Sequence, residues 1–155
     1  MSIETHLSDI ASLFTCTPGT PGRLAQHFTR IITPFHLPDG EVLDVYCREE
    51  AGTFFLTDLG TTLQWLKGQW VEESLPASVR SLLPEICQAE RVELRSGHLR
   101  IRLTQEAEIA DGLMRLAQTA LRIADLRFAL YPQRSSPPAQ GAEEGKTKGE
   151  GIGGN

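Results

Sequence analysis

Apolar and polar positions alternate most regularly a little past the midpoint of the chain. Residues 91–95 and 98–103 alternate strictly around Ser96-Gly97, which predicts a two-residue hairpin. Its pairing places Leu94 against Leu99 and Val92 against Ile101 on one face, and Glu93 against Arg100 on the other. An earlier hairpin is expected from Glu41 to Arg48 and Thr53 to Asp58, joined through Glu49-Glu50-Ala51-Gly52. There Leu43, Val45 and Cys47 share a face with Phe54 and Leu56, while Val42, Asp44, Tyr46, Thr53, Phe55 and Thr57 line the other. Bulky residues on both sides predict a central pair covered on both faces. Leu37-Pro38-Asp39-Gly40 has the chemistry of a turn leading into it.

Elsewhere the period lengthens to that of a helix. Ile3, Leu7, Ile10, Ala11 and Phe14 predict a short amphipathic helix ended by Thr17-Pro18-Gly19. Thr20-Pro21 opens a second, with Leu24, Ala25, Phe28, Ile31 and Ile32 as its stripe and Thr33-Pro34 as its end. Thr61 and Gln64 match a capping box for a short helix through Trp65 and Leu66, stopped at Gly68. Ser74-Leu75-Pro76 starts another, with Val79, Leu82, Leu83 and Ile86 inward and Pro84 kinking or dividing it. Thr104 caps a last long helix whose stripe is Ile109, Leu113, Leu116, Ala117, Ala120, Leu121, Ala124 and Phe128.

The fold class expected is α+β: a small antiparallel sheet of two β-hairpins packed with four to five helices. Residues 1–131 form a single domain, and residues 132–155, rich in Pro, Gly, Ser and charge, form a disordered tail. The chain of 155 residues is long enough to bury a core without staples. Cys16, Cys47 and Cys87 are odd in number and widely spaced, which predicts reduced thiols and a cytoplasmic location rather than a disulfide framework or zinc site. No stretch has the pattern of a signal peptide or membrane span.

The net charge of −5 is unevenly spread, with acids in excess before residue 90 and arginines in excess from 91 to 131. Overall acidity disfavours non-specific duplex binding. Arg91, Arg95, Arg100 and Arg102 nevertheless project together from the second hairpin, with Glu93 to offset them. They read either as a solvated face that keeps the sheet soluble or as a docking surface for an acidic protein or a nucleic-acid backbone. Candidate chemistry is sparse. His6, His27, His36 and His98 are scattered, and Gly19-Thr20-Pro21-Gly22 lacks the lysine of a phosphate loop. No G-x-S-x-G nucleophile elbow is present. With the histidines and cysteines dispersed and no cofactor motif, no cofactor and no metal are expected.

One constellation stands out: Thr33-Pro34-Phe35, then the first hairpin ending Leu56-Thr57-Asp58-Leu59-Gly60-Thr61-Thr62, then Leu63-Gln64-Trp65-Leu66. With Arg80 and the later Leu121 to Leu126, it resembles the bacterial and phage family known as domain of unknown function 1828, over roughly residues 23–130. The resemblance implies a domain of a kind frequent in phages and mobile elements, and supplies no reaction. Leu59 stands where that pattern has a polar residue, which weakens any acidic cluster. Asp58 itself reads as a turn former whose carboxylate accepts amides of the next turn. The rival reading pairs Asp58 with Asp44 around a divalent ion, as in a metal-dependent hydrolase or nuclease. Strand parity puts Asp44 on the opposite face, and the lysine of a PD-(D/E)xK nuclease is missing. The function expected is therefore that of a non-enzymatic binding or regulatory module. An unidentified protein is the favoured partner, nucleic acid the less favoured one, and a membrane is not expected.

Overall fold

Strand-forming runs separated by tight turns should pair with their neighbours in sequence, and most of the sheet follows from that rule. The computed structural model describes residues 14–18, 28–70, 72 and 74–129. Four strands come first: β1 (Thr15–Pro18), β2 (Thr29–His36), β3 (Val42–Glu50) and β4 (Thr53–Thr57). Two helices follow, α1 (Thr61–Lys67) and α2 (Ala77–Ala89). A second hairpin, β5 (Glu93–Arg95) and β6 (His98–Leu103), leads through a 3₁₀ turn (Glu106–Glu108) into α3 (Ile109–Ala129). The strands form one antiparallel sheet in the order β1-β2-β3-β4-β6-β5, with short β1 beside the contiguous run from Thr29.

Both hairpin turns, Ala51-Gly52 and Ser96-Gly97, have positive φ at each residue, the sign pattern of the type I′ turn whose twist suits adjoining strands. The pairings Leu94 with Leu99 and Glu93 with Arg100 are formed, as are the two faces predicted for β3 and β4. The turn at Leu37 to Gly40 also forms, with the Asp39 carboxylate accepting the Glu41 amide at 3.0 Å.

The second expected helix is corrected in its later part. Residues 29–36 are a strand, and residues 20–27 lie outside the described part. The first expected helix, with its stripe from Ile3 to Phe14 and its stop at Thr17-Pro18-Gly19, lies outside it up to residue 13. Its end is corrected too, since Thr15–Pro18 is a strand paired with Thr29–Ile32. The run Thr29-Arg30-Ile31-Ile32-Thr33 is rich in β-branched side chains, and Ile31 and Thr33 are buried while Thr29 and Pro34 are exposed. Ile31 and Ile32 fit a helical stripe only until their alternation with neighbours is weighed. Pro34 lies where the register with β3 shifts between Ile32 and His36. There the Thr33 hydroxyl donates to the Leu43 carbonyl at 2.6 Å and accepts from the Phe35 amide at 3.3 Å. The Thr33-Pro34 pair is thus a device for an irregularity in the sheet.

Among the described residues there are three α-helices, not four to five, and six strands rather than two hairpins alone. The helices pack on one face of the sheet, against Leu43, Val45, Leu56, Leu99, Ile101 and Leu103. Gly112 lets α3 lie close, since a Cβ there would meet Leu103 at 2.9 Å and Leu56 at 3.0 Å. Among the described residues, the hairpin expected to be covered on both faces is therefore covered on one. Leu82 is exposed and Cys87 buried in its place. Phe128 is 55% exposed, and Ile123 and Leu126 carry the buried stripe of α3 instead. Pro84 sits inside an unbroken α2. Glu108, not Thr104, serves the entry to the last helix, its carboxylate accepting the Gln105 amide at 3.1 Å and the Thr104 amide at 3.3 Å. The expected tail falls in residues 130–155, outside the described part.

Candidate functional site

Asp58 follows β4 directly and is fully buried. One carboxylate oxygen, Oδ1, accepts the amides of Gly60 and Leu99, each at 2.9 Å, and Oδ2 accepts the Thr62 amide at 3.1 Å. The Thr61 hydroxyl donates to the Asp58 carbonyl at 2.9 Å, so Asp58 rather than a Thr61–Gln64 capping box organises the start of α1. The Thr57 hydroxyl accepts the Leu59 amide at 3.1 Å. Leu59 and Gly60 take φ of 54° and 83°, and a Cβ on Gly60 would lie 2.9 Å from the His98 ring. Thr57, Asp58, Gly60 and Thr61 therefore form a clamp that ties the end of β4 to β6 and launches α1.

Asp44 sits elsewhere. It faces the open side of β3 and pairs with Arg30, whose Nε donates to Oδ2 at 2.9 Å. That bond, and the negative charge behind it, hold the Arg30 guanidinium above its ordinary pKa. Tyr46 beside them is raised mainly by burial, then by Asp44. The structure thus gives Asp44 and Asp58 separate partners. No group of three His, Cys, Asp or Glu side chains among the described residues could share a metal ion. Arg80 lies on α2, its guanidinium donating to the Leu75 carbonyl at 3.3 Å.

Among the described residues, no helix packs on the other side of the sheet. Register places its side chains in rows. Arg48, Phe55 and Arg102 are cross-strand neighbours in one row. Arg30, Tyr46, Thr57, Arg100 and Glu93 make the next. Arg95 and His98 close the end of the face at the Ser96-Gly97 turn. The Arg48 guanidinium lies 5.4 Å from the Phe28 ring centroid and 5.5 Å from that of Phe55, and donates to Glu50 at 2.9 Å. Both rings are within reach of cation–π attraction to it.

Among the described residues, five arginines thus share this face with three acids, Asp44, Glu50 and Glu93. Arg30 and Arg48 have acidic partners, whereas Arg95, Arg100 and Arg102 form no ion pair among the described residues. A cleft of about 290 Å³ opens at the Ser96 end, with Arg48, Arg95, Arg100, His98 and Phe55 in its wall. It can receive an anion by bidentate guanidinium contact.

Arg95, Arg100 and Arg102 project together as the alternation of the second hairpin predicts. Arg91 does not join them. It takes φ of 53° after α2, where its amide donates to Gln88 and that of Val92 to Cys87, the paired bonds of a Schellman motif. Sequence reasoning missed Arg30, Arg48, Tyr46 and Phe55 as members of this face, because only the pairing of β4 with β6 brings them beside the second hairpin. The available signal was the polar register of Tyr46 and Arg48 opposite Thr57 and Phe55.

A family model described as Domain of unknown function DUF1828 matches residues 33–123, from the Thr33-Pro34 irregularity into α3. No curated protein and no solved structure matches the chain.

Proposed function

The chain belongs to the DUF1828 family of domains of unknown function, and from that premise we propose that it is a non-catalytic binding module taking an anionic partner on the open face of its sheet. One observation carries this reading: Arg95, Arg100 and Arg102, which form no ion pair among the described residues and have one acid, Glu93, opposite Arg100 in register, stand beside the half-buried ring of Phe55. Unneutralised guanidinium groups gathered on one face raise the local potential and attract negative charge even on a protein of net charge −5. Asp58 supports the reading from the other side, since its carboxylate is taken up by three backbone amides. A reducing, cytoplasmic setting accords with the buried thiol of Cys87.

The test is retention on immobilised heparin, a generic polyanion, with a salt gradient. An acidic protein should pass through such a column unless positive charge is concentrated locally. We expect retention of the wild-type protein, earlier elution after Arg100→Glu with Arg102→Glu, and no change after Arg80→Glu with Arg122→Glu on the helical side. Equal elution of all three proteins would remove the sheet face as the binding surface.

A further inference from the structure

We infer that the occupant of the open sheet face is single-stranded nucleic acid. The inference rests on the anion-binding reading above and goes further by naming the chemistry that meets the rings as well as the charges. Across the first row, Phe55 lies between Arg48 and Arg102. Across the second, Tyr46 lies between Arg30 and Thr57, with Arg100 beyond. The first row sets a ring between guanidinium groups on the two neighbouring strands, about 4.8 Å away on each side. The second sets a ring beside Arg30 on one neighbouring strand, with Arg100 two strands away on the other side. A strand of nucleic acid carries that same combination, a phosphate and a flat base at every step. Sheet faces that bind it stack unpaired bases on aromatic side chains and hold the backbone with arginine.

Two rival occupants fit less well. A duplex keeps its bases stacked inside, so it would offer phosphates to the arginines and nothing to Phe55 or Tyr46. It also binds mainly through a broad positive footprint, which this acidic chain lacks. An acidic peptide would pair with the arginines through its carboxylates and again leave the rings without a planar partner. The cleft at the Ser96 end extends the surface, since Arg48, Arg95 and Arg100 converge there beside the Phe28 and Phe55 rings. We assign it the terminal or most tightly held nucleotide of the strand. Arg48, within 5.5 Å of both ring centroids, is already ordered, and a phosphate there would take the place of the exposed Glu50 carboxylate on its guanidinium.

The experiment is fluorescence anisotropy with the full 155-residue chain at several salt concentrations. The probes are a labelled single strand of about twelve nucleotides, as DNA and as RNA, the matching duplex, and a poly-glutamate peptide. Single strands should bind most tightly, with affinity falling as salt rises. Arg100→Gln with Arg102→Gln should lower the slope of log affinity against log salt by about 1.4, or about 0.7 for each lost phosphate contact. Phe55→Leu keeps an apolar side chain but no ring, and should weaken binding about tenfold with the slope unchanged. Thermal melts of each variant verify folding, and Arg80→Gln with Arg122→Gln should bind as wild type. Duplex or poly-glutamate binding as tightly as the single strand overturns this inference and leaves the anion-binding reading in place. Single-strand binding that neither variant weakens also overturns it. If no polyanion binds, both readings fall together.

Discussion

Replacing Asp58 by asparagine separates a structural carboxylate from a chemical one. In the folded protein three buried donors, the amides of Gly60, Thr62 and Leu99, converge on its two oxygens. Asparagine keeps one oxygen, which can hold Gly60 and Leu99, but its amide group then faces the Thr62 N–H, donor against donor. One orphaned buried amide costs about 1–3 kcal/mol, and the two remaining bonds lose the strength that a charged acceptor lends them. Relief from burying a charge offsets part of this, leaving a loss of about 3 kcal/mol. For a domain of this size that lowers Tm by roughly 10 °C. Thermal and urea denaturation followed by circular dichroism would read it. Asp44→Asn, which breaks only the partly exposed pair with Arg30, should cost less than about 1 kcal/mol. Below its melting range, Asp58→Asn should bind polyanions as the wild type does. A variant that melts with the wild type, yet loses binding or a stabilisation by divalent cations, would refute the structural account of Asp58.

Three further outcomes follow from local geometry. Gly60→Ala should destabilise by roughly 2 kcal/mol or more in the same melts, because it forces a Cβ into positive φ and toward the His98 ring. Burial, and then the charge of Asp58, push the Cys87 thiol above its ordinary pKa. Its contribution to stability should thus be complete below about pH 8.5 and fall as pH rises toward the raised value, and alkylation should need unfolding. The Trp65 indole, donating to Asp39 at 2.6 Å, and then the Glu41 amide hold the Asp39 carboxyl below the usual range. The bond's contribution should hold above about pH 3.9 and fade as pH falls through the lowered value. In an NMR titration Trp65→Phe should move the Asp39 midpoint upward, and an unmoved midpoint would contradict the assignment.

What could be read from the sequence divides along sequence separation. Both hairpins were legible because their information is local: alternation sets the faces, and Ala51-Gly52 and Ser96-Gly97 admit the turns. Strand β2 was not, because Leu24, Phe28, Ile31 and Ile32 satisfy a helical period while Thr29 to Thr33 satisfy a strand, and pairing with β3 settles the conflict. Arg95, Arg100 and Arg102 were legible as one patch from the same alternation. Arg91 was misjudged because helix α2 closes through it, a backbone event with no signature in side-chain pattern. The larger half of the face was hidden, since Phe55 meets Arg102 only where strands more than 40 residues apart lie side by side.

The central claim, that a negatively charged partner meets the open side of the sheet, is tested most directly at the arginine side chains. In a 15N-labelled sample the Nε–Hε resonances of Arg30, Arg48, Arg95, Arg100 and Arg102 report that side, and those of Arg80, Arg115, Arg122 and Arg127 report the helices. Titration with a short single-stranded oligonucleotide should shift the signals of Arg48, Arg95, Arg100 and Arg102 in a saturable way and leave the helical set in place. Shifts confined to the helical arginines, or equal across both sets, would contradict the account.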